Sequence, residues 1–160
     1  MPARIVLRVE TPAWRRRHSG SIRSARRAAK AALAAAGGNP EGELCLVLAD
    51  NAKQRRLNRR FRGRDKGTNV LSFEGAPLAL GDVVLALETI VAEAKSQGKS
   101  LADHVAHLVV HGVLHLMGYD HRTRAEAGRM ERLEIAILAG LGIADPYAAQ
   151  LPRQGKRARA

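Results

Sequence analysis

A chain of 160 residues with 46% hydrophobic composition is long enough to bury one core and too short for two ordinary ones. A single cysteine, Cys45, excludes an internal disulfide framework and a cysteine metal cage. No apolar run approaches the roughly 20 residues of a membrane span, and the N-terminus lacks the pattern of an export signal, so a soluble cytoplasmic protein with no membrane partner is expected.

The net charge of +12 is localised. Residues 1–30 hold nine Lys/Arg against Glu10 alone, residues 53–66 hold eight against Asp65, and residues 153–160 hold four against none. Such clustering marks either a polyanion partner, whose phosphates release counterions on binding, or a well-solvated face.

Taken in order, Arg4–Val9 alternates as a half-buried strand. Thr11-Pro12 has the form of an N-cap followed by Pro at the first helical position, opening a short helical turn. His18-Ser19-Gly20-Ser21 interrupts it, and the main helix is expected from about residue 21 to Ala36, with His18 on the surface. Leu44–Ala49 is a continuous apolar run that fits a central strand, and Asp50 caps a helix to about Arg60 anchored by Leu57 and Phe61. A polar loop over 62–67 leads to two strands, Thr68–Phe73 and Leu78–Leu87, expected to pair antiparallel. A helix from about Glu88 to Gln97 stops at Gly98.

Ser100-Leu101-Ala102-Asp103 has the spacing of a capping box with Asp for Glu. In the helix it opens, Leu101, Val105, Leu108, Gly112 and Leu116 share one face, and His104, His107, His111 and His115 form an adjoining stripe expected to line a cleft. Thr123-Arg124-Ala125-Glu126 is a second capping box. Its helix buries Met130, Leu133, Ile137 and Leu138 and stops at Gly140. One domain over 1–150 and a disordered basic tail over 151–160 complete the layout.

Three histidines fall within the eleven positions 111–121. His111 and His115, four apart on a helix, project together with Cβ atoms about 5–6 Å apart. Gly118 stands where a left-handed residue ends the helix and folds the chain back, which lets His121 close the triangle. The zinc-peptidase pattern H-E-x-x-H-x-x-G-x-x-H is met at every position but one, because Gly112 replaces the catalytic glutamate. Three neutral imidazoles leave a divalent ion its full charge and an open position, an arrangement of the catalytic type. His107 fits a supporting role beside the metal, and Asp120 either orients a ligand histidine or solvates the turn. Imidazole triads accept zinc, nickel, copper or cobalt, so the residues by themselves leave the ion open.

Three blocks carry a resemblance: His111–His121 with its Gly112, Leu57–Phe73, and Leu80-Gly81-Asp82-Val83-Val84, with Met130 and Glu134 as outlying matches. In these the chain, over about residues 44–141, resembles the bacterial YbeY family of metal-dependent endoribonucleases, which act as ribosomal RNA maturation factors. The resemblance implies an α/β (α+β) domain with a small mixed sheet of about four strands and about five helices, the metal site lying at the end of a central helix. It implies one zinc ion on His111, His115 and His121, and it matches Arg62 to the family's required arginine. A guanidinium there would pair with a scissile phosphate and stabilise charge on its oxygens. Arg59, Arg60 and Lys66 of the same block are candidate RNA contacts. One departure is that Gly67, rather than Pro, precedes Thr68.

The leading expectation is a single-strand-specific endoribonuclease in small-subunit (16S) rRNA 3′-end maturation and ribosome quality control, with Arg62 and His111 at its catalytic centre. Its partners would be RNA, the ribosomal small subunit and ribosome-associated proteins. The alternatives are a zinc peptidase-like hydrolase, in which Asp120 or Glu134 replaces the missing glutamate, and an assembly factor with a mainly structural metal.

Overall fold

The computed structural model describes residues 3–37, 40–62, 69–74 and 79–148, excluding the side chains of Phe61 and Arg62. These residues form four strands and six helices in the order β1 (Arg4–Val9), α1 (Ala13–Arg17), α2 (Ser19–Ala36), β2 (Glu43–Ala49), α3 (Asn51–Arg62), β3 (Val70–Glu74), β4 (Ala79–Ala86), α4 (Leu87–Gln97), α5 (Leu101–Leu116) and α6 (Arg124–Gly140). The expected small mixed sheet is present. Its strand order is β1-β2-β4-β3; β1, β2 and β4 run parallel, and β3 pairs antiparallel with β4.

Strand β2 is central because both its faces are apolar. Leu44, Leu46 and Leu48 are wholly buried on one side, where α2 and α5 supply Ala25, Ala28, Ala29, Ala32, Val109, Val113 and Leu114. Cys45, Val47 and Ala49 point to the other side, into a smaller cluster with Leu71, Val84 and the half-buried Leu57 of α3. The alanine face of α2 lets it lie close to α5, and Ser24 Oγ donates to the Ala102 carbonyl at 2.7 Å across that contact.

Several expected boundaries move. The helix count rises from about five to six because the break at His18, whose φ is −136°, separates a five-residue α1 from α2. Helix α2 begins at Ser19 rather than 21, and Pro12 caps α1 instead of occupying its first turn. His18 is half-buried, not a free surface side chain, because it serves as the joint between the two helices. Trp14 fixes that joint: it is fully buried and its indole N–H donates to the Ala49 carbonyl at 3.0 Å.

All three caps form, although at Ser100 only the side-chain half of the expected capping box is present. Asp50 Oδ1 accepts from the Lys53 N–H at 2.9 Å, Ser100 Oγ accepts from the Asp103 N–H at 3.1 Å, and Thr123 and Glu126 bond reciprocally as a full capping box. Lys66 and Thr68, most of the expected 62–67 loop, the turn at 75–78 and the basic tail lie outside the described residues. Arg62 is the last residue of α3 rather than the first of a loop.

Candidate metal centre and cleft

Helix α5 ends at Leu116, and two hydrogen bonds close it. The Gly118 N–H donates to the His115 carbonyl at 3.1 Å and the Tyr119 N–H to the Leu114 carbonyl at 3.0 Å, the paired bonds of a Schellman cap. Gly118 sits at φ +100°, a conformation that a side chain would strain. The turn folds His121 back beside the helix end. The ring centroids of His111 and His121 are 5.6 Å apart, those of His115 and His121 5.9 Å, and those of His111 and His115 6.4 Å.

The candidate ligand group takes in two of the three expected histidines, with Asp120 in place of His111. His115, Asp120 and His121 each present a potential ligand atom, all within 4.8 Å of one another. Asp120 therefore stands nearer this group than an orienting role alone requires. Its Oδ1 accepts from the His121 backbone N–H at 2.7 Å, and this bond, with the Arg122 charge, holds its carboxyl below the ordinary range. The donor chemistry of two imidazoles and a carboxylate, with a third imidazole adjacent, fits a divalent transition ion.

Glu134 of α6 lies behind His111, fully buried. His111 Nδ1 is 2.7 Å from its Oε2, His107 Nε2 is 3.0 Å from its Oε1, and the Tyr147 hydroxyl donates to the same Oε1. Burial alone would raise this carboxyl. The bonds from His107, His111 and Tyr147, with the charge of His111, outweigh burial and hold it at about 2. An ionised carboxylate only accepts hydrogen bonds, so Nδ1 of His111 carries a proton and Nε2 is the nitrogen left free to act as a ligand. A carboxylate behind a ligand imidazole fixes its tautomer and orientation in this way at metal sites generally.

The histidine stripe does not line a cleft as a whole. His115 lines the cleft beside the sheet, whereas His107 bonds to Glu134 and Tyr147 and borders a separate, smaller cavity of about 360 Å³ with Ile143 and Pro146. His104 is 3% exposed with Nε2 at 2.9 Å from Glu93.

The cleft beside the histidines, about 850 Å³ in volume, runs along the α3 side of the sheet. Val47, Val84, Leu57 and Phe73 give it an apolar floor, and it is flanked by His115, Asp120 and Arg122 and by Arg8 and Lys53. Lys53 Nζ pairs with Glu10 at 2.6 Å and Arg8 with the same carboxylate at 2.5 Å. Arg59 and Arg60 are exposed on α3 and are not among the described cleft-lining residues. The side chain of Arg62 and the whole of Lys66 lie outside the described residues.

Gly112 is explained by packing. A Cβ there would stand 2.9 Å from Val83 Cγ1 and 3.2 Å from Ser72 Oγ, so α5 meets the sheet where a peptidase would carry its glutamate, leaving no room for one. Glu134 does not replace it, being fully buried and engaged by three donors.

The model of the family described as endoribonuclease YbeY matches residues 13–142. The chain belongs to the YbeY endoribonuclease family. It is 51% identical over 159 residues to the endoribonuclease YbeY of Paramagnetospirillum magneticum, covering 91% of this chain and 96% of that one. It is 55% identical over 130 residues to the namesake of Alkalilimnicola ehrlichii, covering 76% and 78%. A Thermotoga maritima protein solved in solution shares the fold at a TM-score of 0.56 and 19% identity, covering 97% of this chain and 99% of that one. The family resemblance expected from the histidine block therefore holds across most of the chain, including α1 and α2, where no motif had suggested it.

Two roles were missed from sequence: that of Glu134, named there only as a family match and a possible substitute base, and that of Tyr147. Glu134 had a usable signal: a carboxylate one position after Leu133 on the buried side of an amphipathic helix needs a buried partner. Tyr147 had none, since it lies beyond the last helix and reaches Glu134 only through the fold of residues 141–148.

Proposed function

We propose that this chain is a single-strand-specific, metal-dependent endoribonuclease acting on 16S rRNA 3′ ends and in ribosome quality control, in the cytoplasm and in contact with the small subunit. The observation that carries the reading is the convergence of His111, His115 and His121, with His115 and Asp120 lining an 850 Å³ cleft, in a chain belonging to this family. In this reading the three histidines hold one zinc ion, with Asp120 beside them and with Glu134 and His107 fixing His111 from behind. The ion, when bound, supplies Lewis acidity toward a phosphate oxygen.

The chain's own groups do the rest. Arg62 pairs with the scissile phosphate and offsets its charge, and the α3 cations Arg59 and Arg60, with Lys66, draw the backbone in. The cleft floor accepts an unpaired base. Phe73 and Tyr119, both on its lining, supply the aromatic surfaces on which unstacked bases rest in single-strand recognition. A peptidase reading is disfavoured by the contact of α5 with the sheet at Gly112.

The test is elemental analysis and cleavage of a single-stranded RNA oligonucleotide by wild-type and His115→Ala protein. His115 is exposed, so the substitution leaves the fold intact. The expected result is loss of stoichiometric metal together with a fall in cleavage of at least about 10³-fold, roughly 4 kcal/mol in the barrier. Full metal content and full activity in the variant would overturn the assignment.

A further inference from the structure

We infer that the outer face of α1 and α2 is a second nucleic-acid surface, separate from the cleft, which binds the phosphate backbone of double-stranded RNA next to the single-stranded segment being cut. This rests on the RNA reading above and adds the place where the uncut part of the substrate lies.

Helices α1 and α2 together contain seven Lys/Arg and no Asp or Glu. All seven are exposed, and none has an ion pair among the described residues. On α2 the positions are Arg23, Arg26, Arg27 and Lys30, the i, i+3, i+4, i+7 spacing of a single helical stripe. At 1.5 Å rise per residue the stripe is about 10 Å long. It lies opposite the fully buried Ala25, Ala28, Ala29 and Ala32, so packing fixes the direction in which the cations point. Arg15, Arg16 and Arg17 of α1, which is anchored by the buried Trp14, add three further exposed cations.

This arrangement works against the helix itself. Like charges at i,i+3 and i,i+4 each cost about 0.2–0.5 kcal/mol, and the first turn of α2 has no acid to meet the helix dipole. Phosphates bound along the stripe would offset that repulsion.

Three features separate this surface from the cleft and select its ligand. It lies on the far side of the sheet: α2 packs on the face of Leu44, Leu46 and Leu48, whereas the cleft lies on the face of Val47 and Val84. A helix with its side chains is about 10–12 Å across, so one nucleotide cannot occupy both. The surface also has no exposed aromatic, because Trp14, the one aromatic of α1 and α2, is fully buried. Without a stacking platform it does not suit unstacked bases. A rigid row of cations on a helix suits the regular phosphates of a duplex, which is recognised through shape and backbone.

The experiment compares wild-type protein with the quadruple variant Arg23→Gln, Arg26→Gln, Arg27→Gln, Lys30→Gln. Two probes are used, an RNA hairpin carrying a single-stranded 3′ extension and that extension alone. We expect the variant to bind the hairpin probe at least about 10-fold more weakly. Its slope of log affinity against log salt should be shallower by about 3–4, as loss of four phosphate contacts requires. Cleavage of the isolated extension should stay within about 2-fold of wild type.

The triple variant Arg23→Lys, Arg26→Lys, Arg27→Lys keeps the charge and should retain hairpin affinity within about 3-fold, which separates charge from any loss of folding. Unchanged hairpin affinity in the glutamine variant, or an equal loss on both probes, overturns the inference. So does a surface whose loss affects binding to phosphatidylglycerol vesicles but not to RNA. If wild-type protein cuts neither probe while the difference in hairpin affinity persists, the endoribonuclease reading fails and this surface stands.

Discussion

The two faces of the sheet are built from alternate residues of the same strands and have opposite characters. On the α2–α5 side, Leu44, Leu46 and Leu48 are sealed by a large cluster drawn from five helices. On the α3 side, Cys45, Val47 and Ala49 meet only Leu71, Val84 and a few half-buried neighbours, and the rest is cleft. Helix α3 cannot close this face because its 12 residues, NAKQRRLNRRFR, include six cations and few apolar anchors. Stability is concentrated on one face, and the other is left open enough to admit a ligand. The histidines stand where the helix from the closed face, α5, emerges at the end of the open one.

The largest expected effect tests that division. Leu46→Ala empties a site with no exposure on the closed face and should cost about 2–5 kcal/mol of folding stability, measured by denaturant unfolding. Its neighbour Val47 faces the cleft, so Val47→Ala should cost only the transfer of its lost carbons, about 1.6 kcal/mol at 0.8 kcal/mol per buried CH₂. Equal costs would mean that the faces do not differ as described.

A smaller effect is expected where the faces meet. Glu134→Gln keeps the shape but replaces an ionised acceptor with an amide, so His111 is less well oriented and less basic toward a metal. Zinc affinity, measured by competition with a chelator, should fall about 10–100-fold, the usual cost of losing such a partner. An unchanged affinity would reduce Glu134 to a packing residue.

The smallest effect belongs to the second capping box. Thr123→Ala removes the acceptor of the Glu126 N–H and should lower stability by about 1 kcal/mol while leaving zinc affinity within about 2-fold. A large loss of affinity would show that the cap of α6 also holds His121, two residues before it.

The elements and the histidine group were legible in the residues alone, because both depend on short-range geometry. Helical spacing puts His111 beside His115, and Gly118 ends the helix in a left-handed turn that returns His121; the periodic apolar runs and the polar caps mark the helices and strands. What surrounds that group came from packing between distant elements. Glu134, 23 residues beyond His111, reaches it because α6 packs against α5, and Tyr147 reaches Glu134 because the chain turns back after Gly140. The meaning of Gly112 was settled in the same way. In sequence it is a missing glutamate; in the fold it is the place where α5 comes so close to Val83 and Ser72 that a side chain has no space. Contacts between residues far apart in sequence leave no periodic trace, so only packing could reveal that the histidines lie between a sealed core and an open cleft.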